Sequence, residues 1–144
     1  MKIIFICVLI FFLLDSCASI EKKETDFYDV EIKEFSSTIE LLLLNLDFLK
    51  REVLKINAKR PSIQRILSEA DALWLKGNIT NANIELERGL RITKDESAIY
   101  LRLSHIRLEQ GLINESKAFA SRGLLNEGAS PWEALLLSVY SKRN

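Results

Sequence analysis

Cysteine and histidine are almost missing from this chain. Its 144 residues hold two cysteines, Cys7 and Cys17, and a single histidine, His105. So sparse a thiol content gives no disulfide framework, and one histidine without a cysteine cluster gives no zinc site, so no metal is expected. Five glycines and two prolines leave few places to break regular structure. No run alternates Val, Ile or Thr with polar residues as a half-buried strand would. Charge of one sign is also lacking. Twenty Lys and Arg face twenty Asp and Glu, so there is no basic excess to displace the counterions of a nucleic acid. What remains is rich in Leu, Ile, Ala, Glu, Lys and Arg, the residues of helices.

The N-terminus is the one long apolar run. After Met1-Lys2, the stretch Ile3–Leu14 contains no polar side chain. As a helix it would span about 18 Å against a hydrocarbon core of roughly 30 Å, too short for a permanent crossing. One positive charge, an apolar stretch and then small residues is the order of an export signal. The residues that follow, Leu14-Asp15-Ser16-Cys17, resemble the lipobox of bacterial lipoproteins. That resemblance implies a signal peptide at 1–16, a diacylglycerol on the Cys17 thiol and acylation (palmitate) of the new amine. Asp15 departs from the family's preference for a small uncharged residue. An ordinary export signal cut after Ala18 is the alternative, since Ser16-Cys17-Ala18 is also small. Ala18 after the cysteine implies sorting to the outer membrane, facing the periplasm. Two or three acyl chains, at about 0.8 kcal/mol per buried CH₂, anchor a protein to a membrane almost permanently. Residues 17–26 read as the lipidated cysteine and a flexible tether.

The second half repeats itself. "GNITNANIELERGL" starts at Gly77 and "GLINESKAFASRGL" at Gly111, and both fit G-x-I-x8-R-G-L. A turn glycine recurring at constant phase, with a period of about 34 residues, suits stacked helix pairs. The phase puts helices at Ser62–Lys76, Thr80–Thr93, Ser97–Gln110 and Asn114–Asn126, with turns at Gly77 and Gly111. Small residues fall where paired helices cross: Ala70 and Ala82 in the first unit, Ser104 and Ser116 in the second. Gly89 and Gly123 fall where the next helix approaches, since a helical glycine costs about 1 kcal/mol against alanine without some packing need. Ser130, Pro131 and Glu133 read as N-cap, first helical residue and capping-box partner of a last helix.

Residues 63–130 thereby resemble the tetratricopeptide (TPR) family. The implied fold class is all-α: antiparallel helix hairpins of a short TPR solenoid, about two repeats plus capping helices, over residues 61–144. Before it, residues 27–60 carry an apolar stripe, Ile32, Phe35, Ile39, Leu42, Leu46, Leu49, Val53 and Ile56, at helical 3-4 spacing from about Phe27 to Ala58. That helix reads either as a cap packed on the repeats or as a coiled-coil seam between copies.

In the TPR family the first helix of each hairpin lines a concave surface that binds proteins or peptides. Carried over by position, the partner groove is Gln64, Leu67, Asp71, Trp74, Leu75, Leu101, His105 and Leu108, joined by Ala98 and Glu109 and, from the last helix, by Trp132, Leu135 and Val139. The same apolar residues would equally serve as packing under the N-terminal helix. No catalytic residues are expected. Ser104, His105 and Asp71 form a hydrolytic trio only on paper, with no nucleophile turn or oxyanion hole in the spacing. The expectation is a lipid-anchored envelope adaptor or scaffold serving pilus, secretion or cell-wall assembly. It needs no cofactor beyond the covalent lipid and contacts the membrane and an unknown protein or peptide. The rivals are a self-associating structural lipoprotein, or an envelope enzyme or small-ligand carrier.

Overall fold

The computed structural model describes Glu21 to Arg143, with side chains placed from Lys33 onward. The expected signal peptide and Cys17 lie outside the described residues. Within them the protein is all-helical: α1 Glu21–Leu44, α2 Leu46–Leu54, α3 Pro61–Leu75, α4 Ile79–Ile92, α5 Ser97–Glu109, α6 Ile113–Gly123 and α7 Pro131–Ser141, with no strand among the described residues. The chain divides into two compact units, Met1–Glu40 and Leu41–Asn144.

The described part of the first unit is helix. Residues Glu21–Asp26, expected as tether, begin α1 instead, in keeping with the helix propensity of "EKKE". Lys33 to Ser37 are exposed, and Phe35 keeps 59% of its surface. Ser37 and Thr38 hydroxyls donate to the Glu34 carbonyl at 2.8 and 2.9 Å, the back-bonding usual for such residues inside a helix.

The expected single helix from Phe27 to Ala58 is interrupted. Asn45 is extended (φ −116°, ψ 103°), and its side-chain oxygen accepts from the Phe48 N–H at 2.9 Å. Periodicity detects a stripe but not a residue that prefers to cap, and Asn45 caps α2 rather than continuing α1. Of the stripe, Leu42, Leu49 and Val53 are fully buried, Ile39 and Ile56 are half-buried, and Leu46 and Phe35 are exposed.

The next four helices form two hairpins whose ends fall within one residue of expectation, except that α6 stops at Gly123 rather than Asn126. Their turns share one mechanism. Gly77 has φ +77° and Gly111 φ +74°, a left-handed conformation that costs a residue with a Cβ roughly 1–2 kcal/mol. Around the first, Asn78 N–H donates to Leu73 O and Gly77 N–H to Trp74 O, both at 2.9 Å. Around the second, Leu112 N–H donates to Arg107 O at 2.8 Å and Gly111 N–H to Leu108 O at 3.0 Å. These are two copies of one Schellman motif, one at each repeat's turn. Ala70, Ala82, Ser104 and Ser116 are all buried.

Hairpin α3–α4 packs on hairpin α5–α6 chiefly through α4 against α5, and α7 covers both α5 and α6. One apolar core joins Ile63, Ile66, Leu67, Ala70 and Trp74 of α3 with Ala82 and Leu86 of α4 and Ile99, Leu103 and Ile106 of α5. Ser130 and Glu133 close the capping box of α7: Glu133 N–H donates to Ser130 Oγ at 3.2 Å and Ser130 N–H to Glu133 Oε2 at 2.6 Å. α5 is the centre. Every residue from Ser97 to Ile106 is buried, because α2, α4, α6 and α7 all touch it.

The two helical glycines differ in how tightly they are held. A Cβ on Gly123 would lie 2.9 Å from Tyr100 Cβ and 2.8 Å from Leu137 Cδ2, whereas one on Gly89 would meet chiefly the flexible tip of Ile99 at 3.0 Å. Gly123→Ala should therefore destabilise by about 1–2 kcal/mol, because Tyr100 Cβ moves only with its backbone. Gly89→Ala should be close to neutral, since the helical gain of about 1 kcal/mol offsets a small side-chain shift. Urea midpoints of the two variants test this, and equal losses would contradict the packing described.

Candidate functional site

The face expected to bind a partner is occupied by the chain itself. Leu67, Ala98 and Leu101 are fully buried, Trp74 is 3% exposed and His105 1%. Gln64, Asp71 and Leu108 are half-buried, Val139 is buried, and Trp132 and Leu135 are half-buried. Among the eight groove residues only Leu75, at 66%, stands well exposed. The covering segment runs from α2 to Ala58. Lys50 Nζ sits 4.2 Å over the Trp74 ring, and Gln64 Oε1 accepts from Ala58 N–H at 2.6 Å. Of the two readings open from sequence for these side chains, packing beneath the N-terminal segment is what their burial describes.

Two polar clusters lie on this face. In the first, Arg102 is 1% exposed on the central helix. Its Nε donates to Asp71 Oδ1 at 2.7 Å and its Nη2 to Asp71 Oδ2 at 2.8 Å. Its Nη1 donates to Ile56 O and Ala98 O, both at 3.1 Å. A buried guanidinium is tolerable only with such matching, and the fork-to-carboxylate pair is the strong form of it. Asp71, expected to face a partner, is committed to Arg102.

The second cluster centres on His105. Tyr140 Oη lies 2.6 Å from His105 Nδ1, Glu109 Oε1 is 3.5 Å from Nε2, and the Trp74 and His105 ring centroids are 5.3 Å apart. Glu109 also accepts from Trp74 Nε1 at 2.7 Å and Lys50 Nζ at 2.9 Å. Burial pushes the Tyr140 hydroxyl well above the ordinary phenol range. The Glu109 carboxylate facing Nε2 can only accept, so the hydrogen of the neutral imidazole is assigned to Nε2 and Nδ1 is left to accept from the Tyr140 hydroxyl. Burial also pushes His105 down from 6.5 to about 4, against the pull of Glu109 and with the help of Lys50 and Arg143. For Glu109 burial acts upward, but the hydrogen bonds from Lys50 and Trp74 prevail and hold it below its usual value.

The paper trio of Ser104, His105 and Asp71 is not wired together. Asp71 serves Arg102, His105 serves Tyr140 and Glu109, and buried Ser104 Oγ hydrogen-bonds none of the described residues. No group of three metal-ligating side chains occurs among the described residues.

Sequence reasoning missed Arg102, Tyr140 and Lys50, and it reads Glu96 as one of a solvated set with Glu85, Glu87 and Asp95, whereas Glu96 is buried. The signal for Arg102 was present in "SAIYLRLSHIRL", where apolar residues surround the helix axis instead of forming a stripe. A helix apolar all round is buried, so a charge within it must have a partner. Glu96 had no such signal. Its carboxylate accepts from the Lys59 and Arg60 N–H groups at 3.0 and 3.1 Å, which places an anion at the start of α3. No protein-family model matches the chain, and neither a curated protein nor a solved structure matches it.

Two outcomes follow from these clusters. Asp71→Ala strands a buried cation and should cost about 3–5 kcal/mol, and adding Arg102→Met should recover much of that loss in urea titrations. His105 binds its proton more weakly folded than unfolded, so its contribution is full above pH 6.5 and is lost as pH falls toward about 4. The loss is roughly 3 kcal/mol. His105→Gln should flatten the dependence of urea midpoint on pH between 4 and 6.5; an unchanged slope would place the proton elsewhere.

Proposed function

We propose that this chain is a lipid-anchored adaptor of the bacterial envelope, tethered through Cys17 to the outer membrane and built on TPR-like hairpins that hold another protein or peptide in the periplasm. The observation that carries the reading is the pair of matching left-handed glycine turns at Gly77 and Gly111, each closing a helix hairpin. Repeated hairpins supply rigid surface rather than chemistry, and surface is what an adaptor requires. No described helix is long and apolar enough to cross a membrane, so in this reading the acyl chains supply attachment.

The buried face refines where contact occurs. Leu67, Trp74, Leu101 and His105 serve the interior. A partner therefore engages the rim, where Leu75 is open and Leu108, Trp132 and Leu135 are partly so. Confinement to a membrane raises the local concentration, so a modest rim suffices for useful occupancy.

Cys17→Ser should move the protein from the membrane to the soluble fraction and remove acyl mass from the mature N-terminus; the same fractionation for both forms would refute the anchor. A photo-crosslinking residue at Leu75 should form an adduct with one heterologous protein that the same group at Ile84, on α4, does not form. Equal labelling from both positions would remove the rim from the proposal.

A further inference from the structure

The neutral total conceals a segregation of charge. Residues Glu21–Glu40 hold seven acidic and three basic side chains, net −4, while Leu41–Asn144 hold sixteen basic and twelve acidic, net +4. The acidic segment is helical and about 30 Å long at 1.5 Å per residue. Phe35 on it is 59% exposed, and Glu34 and Glu40 of the same helix are also exposed. Phe35 belongs to no described aromatic pair, and Glu34 and Glu40 belong to no described ion pair.

The second unit has a cleft of matching chemistry. About 360 Å³ in volume, it is lined by Leu90, Tyr100 and Leu125, with Lys94 and Arg122 as cations and Asp95 as the single carboxylate. Leu125 is 80% exposed, the most of any large apolar residue described. Neither Lys94 nor Arg122 belongs to any described ion pair, unlike Arg60, Arg88, Arg102 and Arg107. Asp95 lies 4.0 Å from Arg60, so part of its charge is already answered. The cleft is apolar within and cationic around it.

We propose that the α1 segment of one copy of this chain seats in the Leu90–Tyr100–Leu125 cleft of a second copy, with Glu34 and Glu40 supplying carboxylates to Lys94 and Arg122. Each chain offers both the acidic helix and the cleft, so reciprocal exchange closes a two-fold pair without leaving either surface open. Exposed charge pairs are individually weak and screened by salt, so the association is modest and ionic-strength dependent. It stands independently of the lipid anchor and of the rim.

The test uses full-length chains in two differently tagged copies made together. Phe35 of one copy is replaced by a photo-crosslinking phenylalanine analogue. The expected product joins the two tags and maps to residues 90–126 of the other copy. Lys94→Glu with Arg122→Glu should lower its yield at least tenfold. Both sites are exposed, so melting curves should stay at the wild-type position. Glu34→Lys with Glu40→Lys in the crosslinker-bearing copy should restore the yield against that reversed cleft. Absence of an inter-tag product overturns the proposal. So do adducts joining two α1 segments, adducts only with other proteins, and a yield indifferent to charge reversal or to raising the salt concentration.

Discussion

The structure depends on a helix buried along most of its length. From Ser97 to Ile106 every residue of α5 is buried, yet its sequence includes Arg102, Ser104 and His105. A guanidinium in such a place is a large free-energy cost unless most of its N–H groups are matched. Four hydrogen bonds meet this need, two to the Asp71 carboxylate and one each to the carbonyls of Ile56 and Ala98. The three accepting residues come from α3, from the segment after α2, and from α5 itself. One charge thereby fixes the relative placement of three parts of the second unit. Apolar packing alone tolerates small slippage between helices, whereas a bidentate pair does not.

That constraint explains why the groove is filled. Ile56 O is an acceptor for Arg102, and the segment that delivers it also lays Lys50 over Trp74 and against Glu109. The Glu96 carboxylate holds the end of the same segment through the Lys59 and Arg60 amides. Residues 46–60 are thus bound at several separated points along the face of α3 and α5. A partner peptide lying there would have to supply replacements for each of these contacts before gaining any of its own. Contact at the rim, where Leu75 is already open, involves no such exchange.

Much of the hairpin architecture was legible because it rests on local rules. A glycine at a helix end, its recurrence at one phase and small residues at crossings fix turn, register and packing distance, and each is a property of a few neighbouring residues. The capping box at Ser130 and Glu133 was legible for the same reason. The break at Asn45 was not, because the 3-4 stripe continues through it and only the competing side-chain cap to Phe48 ends α1. The fate of the groove was least legible. Leu67, Trp74 and Leu101 have the same apolar character whether they await a peptide or lie under α2. What distinguishes the cases is Arg102, whose partners Asp71 and Ile56 lie far from it along the chain.

His105 shows how burial redirects a residue that looks chemical. Its ring is held between Trp74 and Tyr140, with a hydroxyl on one nitrogen and a carboxylate toward the other. A general base near neutrality needs a proton affinity close to the working pH and a route to substrate. Here burial draws the affinity down to about 4. The nitrogen lone pair already accepts from Tyr140, and the remaining N–H faces Glu109, itself committed to Lys50 and Trp74. Every polar atom of the imidazole is therefore engaged in joining α5 to α7 and, through Glu109, to α2 and α3. The arrangement makes the one histidine a connector of four helices, and a proton forced onto it strains all of those connections at once.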